Sequence, residues 1–191
     1  MGIYRQIILS NIPNHFVIWE PRDVVGGDIY FFEELRHPNE WLILVIDCTG
    51  HGVPGAFVTM LVKVIKEQVV SEIVNSNKVV NTAEIMSYFN RRMKQLLKQH
   101  DKDSISNAGF DGGILYYNKK EQMLKFTGAE TPLVLIQDGK YKRIKGDRHS
   151  VGYKKSKIDF KFKEHIIDTN QETRVYVTTD GFLDQNGGEK G

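Results

Sequence analysis

Hydrophobic positions change period along this chain, and each period predicts a kind of element. Residues 16–20, Phe16-Val17-Ile18-Trp19-Glu20, follow a Pro13-Asn14 turn and predict a first strand. Residues 29–34 predict a second, and the His37-Pro38-Asn39-Glu40 turn leads into a third. That third strand, Trp41-Leu42-Ile43-Leu44-Val45-Ile46, is apolar without interruption, as expected of a strand covered on both faces. From Gly55 to Val74 the spacing becomes helical: Phe57, Met60, Leu61, Val64, Ile65, Val69 and Ile73 recur at intervals of three and four and predict core positions. Lys63, Lys66 and Glu67 fall between them. A second helix is predicted from Asn81 or Thr82 to about His100, burying Ile85, Phe89, Met93 and Leu96-Leu97 and exposing Arg91, Arg92, Lys94 and Lys98.

After a polar loop over residues 101–109, period two returns. Residues 110–117 and 123–126 flank Asn118-Lys119-Lys120-Glu121, and residues 132–137 and 141–144 flank Asp138-Gly139-Lys140, so two hairpins are predicted. Residues 158–167 alternate as a further strand whose outward lysines suit a sheet edge. Residues 174–179 form the last. Strands, two consecutive helices, then more strands define an α+β chain: two antiparallel sheets packed as a β-sandwich with a pair of long helices outside. At 191 residues, with 40% apolar and 26% charged residues, one domain spanning 1–191 is expected.

Charge and cysteine content narrow the function classes. A net charge of +2 gives no global argument for nucleic acid or membrane, and the lysines at 154, 155, 157, 161 and 163 read as a solvated face. One cysteine excludes an internal disulfide framework, and there is no signal peptide or apolar stretch of spanning length, so a reducing, cytoplasmic setting is expected.

The candidate chemistry lies where strands end in glycine turns. Asp47-Cys48-Thr49-Gly50-His51-Gly52-Val53-Pro54-Gly55-Ala56 delivers a carboxylate from a buried strand into a glycine-rich turn before a helix. Asp47 there either caps the helix or helps hold an ion. Gly26-Gly27-Asp28 places a second Asp on the neighbouring strand, and Thr178-Thr179-Asp180-Gly181 repeats the arrangement near the end. Carboxylates brought together repel unless a cation or a shared proton relieves them, and hard divalent ions take such oxygen ligands. Asp111, before Gly112-Gly113, either shapes a strand entry or contacts a metal-bound water. Cys48 as a covalent nucleophile is a competing reading, without the cationic surroundings an activated thiolate needs. His51 either protonates a leaving oxygen or stabilises the helix entry. Arg22 either grips a substrate phosphate or is a surface charge.

Val25-Gly26-Gly27-Asp28-Ile29-Tyr30, the run from Asp47 to Ala56, and Thr178-Thr179-Asp180-Gly181-Phe182, in that order, resemble the metal-dependent protein phosphatase family, also called protein phosphatase 2C-like. The bacterial stage II sporulation protein E branch is the nearest in pattern. The resemblance implies two Mn²⁺ or Mg²⁺ ions, with Asp47 bridging both, the Cys48 carbonyl on one, Asp180 on the other, and Asp28 a ligand directly or through water. It implies hydrolysis of phosphoserine or phosphothreonine by activated water, with Asp47 and Asp180 catalytic and Arg22 and His51 as substrate-binding candidates. The substrate implied is a small regulatory protein of the anti-sigma-factor-antagonist kind, and helix-mediated homodimerisation through residues 79–97 belongs to the same expectation. Two departures stand out: Gly128-Ala129-Glu130-Thr131-Pro132 occupies the place of the relatives' Ala-Gly-His-Pro-Pro, and no closing Asp-Asp or Asp-Asn pair follows Asp184. The second departure implies a chain lacking the family's last segment, and makes a catalytically silent, partner-binding module of the same fold the alternative function.

Overall fold

The computed structural model describes residues 12, 14–19, 26–100, 104 and 106–183. Its frame is set by β2 (Glu40–Cys48), which is flanked on both sides. β1 (Asp28–Glu34) pairs with it antiparallel on one side, and β3 (Phe110–Asn118) on the other. β4 (Met123–Ala129) and β7 (His165–Asp168) complete a five-stranded sheet of order β1-β2-β3-β4-β7. A second, three-stranded sheet has the order β6-β5-β8, from β5 (Leu133–Gln137), β6 (Lys140–Ile144) and β8 (Thr173–Val177). Every named pairing is antiparallel.

The unbroken apolar run of β2 follows from cover on both faces. Leu42, Leu44 and Ile46 are fully buried against the helices α1 (Gly52–Val74) and α2 (Thr82–Leu96). Ile43 turns the other way, toward the layer between the sheets formed by Leu115, Phe126, Leu133, Leu135 and Ile167. The molecule is thus an α+β sandwich with its two long helices outside the larger sheet, as the alternation of periods predicts. Asn81 caps α2, its side chain accepting the Glu84 N–H at 2.9 Å.

Several expectations are corrected. In α1 the buried stripe is Val58, Val62, Ile65 and Val69, while Phe57, Met60 and Val64 are exposed by 64%, 63% and 53%. The helix packs by one side only and carries apolar residues on more than one, so periodicity could not select the stripe. Lys66, set among polar positions by the pattern, is buried between Glu33 and Glu67 and stands 5.3 Å from the Phe31 ring centroid. Lys94, expected on an exposed face, is also buried; it donates to the Tyr153 carbonyl at 2.7 Å, and burial lowers its pKa. Residues 15–19 join neither sheet, although Phe16 packs on Tyr176 of β8; Glu20 lies outside the described residues. Of residues 158–167 only the end is strand, β7. Upstream, Asn90 captures the Lys157 carbonyl at 2.8 Å, Asp147 captures the Lys163 N–H at 2.7 Å, and Phe160 stacks on His149. Those bonds take main-chain groups a ladder would need.

Candidate active site

The antiparallel register puts three carboxylates in a row at one end of the larger sheet. Asp28 of β1 lies opposite Asp47 of β2, and Asp47 lies opposite Asp111 of β3. The fourth comes from the other sheet: after β8 the chain turns into the short helix α3 (Asp180–Leu183), beginning at an exposed Asp180. Thr179 ties this turn to β1, its hydroxyl donating to Asp28 Oδ2 at 3.1 Å. Asp180 in turn stands near enough to Asp47 to raise its pKa.

Glycines make this convergence possible. A Cβ on Gly27 would lie 2.4 Å from the Cys48 carbonyl oxygen and 2.5 Å from that of Gly50, and one on Gly55 would lie 2.4 Å from the Gly50 oxygen. The Gly26-Gly27 turn, the Cys48–Gly50 loop and the first turn of α1 therefore interlock backbone to backbone, with the Cys48 N–H donating to the Gly27 carbonyl at 3.1 Å. Helix α1 starts at Gly52 with His51 at the N-cap position, so Asp47 is not its cap. His51 is exposed and makes no side-chain cap bond.

A third loop is stitched on through Thr49. Its N–H donates to the Gly109 carbonyl at 2.9 Å, while its hydroxyl accepts the Gly109 N–H at 3.0 Å and meets the Tyr153 phenol oxygen at 2.7 Å. Thr49→Val is expected to strand the Gly109 N–H and to lower stability by about 1–2 kcal/mol. Urea denaturation read by tryptophan fluorescence measures this, and an unchanged midpoint would show that the hydroxyl contributes nothing.

The electrostatics are those of an anionic cluster short of countercharge. Burial, then the charge of Asp28, then the bond and charge of Asp180 push Asp47 from the ordinary carboxylate range up to about 8. Burial also raises Asp111, with Asp180 adding and the Ser150 side chain opposing. Asp111 Oδ1 is buried with no hydrogen-bond partner among the described residues. The Cys48 thiol is buried and pushed up, by burial first and then by Asp47 and Asp28, which removes it as a nucleophile at neutral pH.

Among the described residues no three His, Cys, Asp or Glu side chains stand in a closed coordination set. The fit of a cation is therefore judged on the donors themselves: converging hard oxygens, an orphaned carboxylate oxygen on Asp111, and an Asp47 that neutral pH leaves partly protonated. These suit a hard divalent ion. A pH dependence follows. Because the Asp47 value is raised above its ordinary 3.8, its contribution to the metal-free fold is full below about pH 4 and is lost as the pH rises toward 8. The difference in Tm between Asp47→Asn and wild type, in chelator, should widen in favour of the variant from pH 5 to pH 8. A constant difference would contradict it.

Of the residues singled out by sequence, Asp28, Asp47, Cys48 and Asp180 are brought together, and His51 stands beside them at the helix entry. Arg22 and Asp184 lie outside the described residues. Asp111 proves to be part of the row, its register against Asp47 outweighing its ordinary look at a strand entry. Tyr153 and Thr179 also contribute, and of the two only Thr179, whose hydroxyl stands beside Asp180, has a local signal in the sequence.

Comparison with known proteins bears on the family and the fold. The family model described as stage II sporulation protein E (SpoIIE) matches residues 37–191. The solved SiaA-PP2C domain of Pseudomonas aeruginosa is 31% identical over 98% of this chain and 69% of that one, with a TM-score of 0.79. RsbX in complex with magnesium matches at 18% identity over 81% of this chain and 66% of that one, TM-score 0.59. The PP2C phosphatase domain and regulatory-domain fragment of SpoIIE from Bacillus subtilis matches at 16% identity over 85% of this chain, TM-score 0.61, and the chain spans only 43% of its length. No curated protein sequence matches. The family match and the fold together define a PP2C-type phosphoprotein phosphatase domain of the serine/threonine class. The chain belongs to the stage II sporulation protein E family.

Proposed function

We propose that this domain hydrolyses phosphoserine or phosphothreonine on a bacterial regulatory protein, of the anti-sigma-factor-antagonist kind, using two divalent cations held at the Asp28–Asp47–Asp180 end of the sandwich. The observation that carries this is the convergence of carboxylates at one sheet end, with Asp28, Asp47 and Asp111 in register across three strands and Thr179, next to Asp180, bonded to Asp28. RsbX, a relative in fold, has been solved with magnesium, which supports a hard divalent ion here. When bound, such cations activate water and neutralise the charge that builds on the phosphoryl oxygens.

The chain's own residues then divide the remaining work. Asp47, the Cys48 carbonyl and Asp180 would hold the two ions, with Asp28 joining them directly or through water. Asp111, with its unsatisfied oxygen, orients water at the rim. His51, exposed at the entry of α1, faces incoming substrate and is the candidate to protonate the leaving oxygen. Arg22 is the candidate phosphate grip. A cytoplasmic setting is supported by the lone, buried and unpaired Cys48, and no helix among the described residues is long and apolar enough to cross a membrane.

Helix-mediated homodimerisation is part of this proposal, and residue exposure supports a seat on α1 rather than over residues 79–97. Helix α2 turns Ile85, Met86, Phe89 and Met93 into the core, while α1 exposes Val53, Phe57, Met60 and Val64. Calorimetric titration with Mn²⁺ tests the metal assignment: about two equivalents are expected for wild type, falling for Asp28→Asn, Asp47→Asn and Asp180→Asn. Undiminished binding in the folded variants would overturn it.

A further inference from the structure

The sandwich has an open side at the sheet edge away from β1. β7 ends the larger sheet at the edge opposite β1, and β6 ends the smaller sheet, so neither strand is paired along its outer edge among the described residues. Between them runs a cleft of about 820 Å³. Its floor is apolar, from the buried Leu135, Ile144 and Ile167.

The charges around this cleft are unbalanced in a specific way. Its carboxylates are bound into the fold: Asp147 accepts the Lys163 N–H at 2.7 Å, Glu164 accepts the Thr82 N–H at 2.6 Å, and Asp168 accepts the Asn170 N–H at 2.8 Å. Lys142, Arg143, Lys145 and Lys163 line the same cleft, and their side-chain cations have no hydrogen-bond or ion-pair partner among the described residues. Their fields converge: after burial, Lys163 and Lys142 hold His165 below its ordinary value, against Asp147. Lysines on an edge strand ordinarily discourage pairing with another copy of the same chain. The same charges favour a strand of opposite sign.

The β6 backbone is set for such a strand. Asp138 and Gly139 both have positive φ, at 49° and 71°, forming a two-residue hairpin turn. In such a hairpin the closing pair Gln137–Lys140 and every second pair beyond it carry the hydrogen bonds, which directs the main-chain groups of Tyr141 and Arg143 away from β5. We propose that this cleft docks an acidic, extended polypeptide segment of a partner protein, received along the free edge of β6 with its carboxylates on Lys142, Arg143, Lys145 and Lys163. Main-chain bonds to the edge would give affinity, and alternate acidic side chains specificity. The seat lies across the sheet from the Asp28–Asp47 end, so a docked segment leaves the carboxylate site open.

The test is fluorescence anisotropy with a labelled octapeptide of alternating Glu and Val, against a Gln/Val octapeptide and a dT8 oligonucleotide. The acidic peptide is expected to bind, the Gln/Val peptide about tenfold more weakly, and the oligonucleotide more weakly than the acidic peptide. Lys142→Glu with Lys163→Glu should weaken acidic-peptide binding about tenfold, while Lys119→Glu with Lys120→Glu, on the β3–β4 turn, changes it less than about twofold. Arg143→Pro should lose more than Arg143→Ala, because it also removes an outward N–H. All variants should keep the wild-type Tm within about 2 °C and its hydrolysis of a short phosphopeptide. Absence of acidic-peptide binding, equal or tighter oligonucleotide binding, indifference to the double charge reversal, or equal losses for Arg143→Pro and Arg143→Ala would each overturn the proposal.

Discussion

Asp47→Ala is expected to lower kcat on the order of a thousandfold or more while leaving the metal-free protein at least as stable as wild type. The two effects share one cause. Asp47 is the carboxylate on which Asp28 and Asp180 both press, and burial together with those neighbours raises it to about 8. An anion in that position is unfavourable until a cation arrives, so its removal relieves the empty site and disables the loaded one. Steady-state hydrolysis and thermal denaturation in chelator read the two halves separately. A variant that lost both activity and stability would show Asp47 to be a structural residue.

Gly27→Ala is expected to lower stability by about 3 kcal/mol and to abolish Mn²⁺-dependent turnover. The added methyl would meet two carbonyl oxygens, of Cys48 at 2.4 Å and Gly50 at 2.5 Å, and both belong to the backbone that presents the site. Neither can swing away as a side chain would. Gly139→Asn is the control: its φ of 71° suits Asn in a two-residue hairpin turn, and nothing lies within 4 Å of the added Cβ. Urea denaturation should separate the two variants widely. Equal, small effects would mean the interlocked loops yield easily.

Much of the fold is legible in the sequence alone. The hairpins β3–β4 and β5–β6 follow from period-two runs around polar turns, and the pairing of Asp28 with Asp47 follows from the short turn between their strands. The glycine-flanked Asp motifs were readable because close backbone approach leaves few other residue types acceptable. What was not legible depends on partners distant in sequence. Thr179 meets Asp28 across 151 positions, and Thr49 meets Tyr153 across 104. The burial of Lys66 requires Glu33, and that of Lys94 requires the Tyr153 carbonyl, neither of which a helical period can signal. Helix α1 carries apolar residues around more of its circumference than the sheet can cover, so the choice of Val58, Val62, Ile65 and Val69 over Phe57, Met60 and Val64 is tertiary. Residues 158–164 alternate like a strand, yet Asn90 takes the Lys157 carbonyl just before them, and Asp147 and Thr127 take the main-chain groups of Lys163.

The central claim is that the carboxylate end of the sandwich holds divalent cations for phosphoester hydrolysis. Release of inorganic phosphate from a phosphothreonine peptide, followed while Mn²⁺ is removed by chelator and restored, tests it most directly. Turnover that disappears with chelation, returns with Mn²⁺ and is absent from Asp47→Ala is the predicted result. Folded, Mn²⁺-saturated wild type without turnover, or turnover that survives chelation or Asp47→Ala, would contradict it.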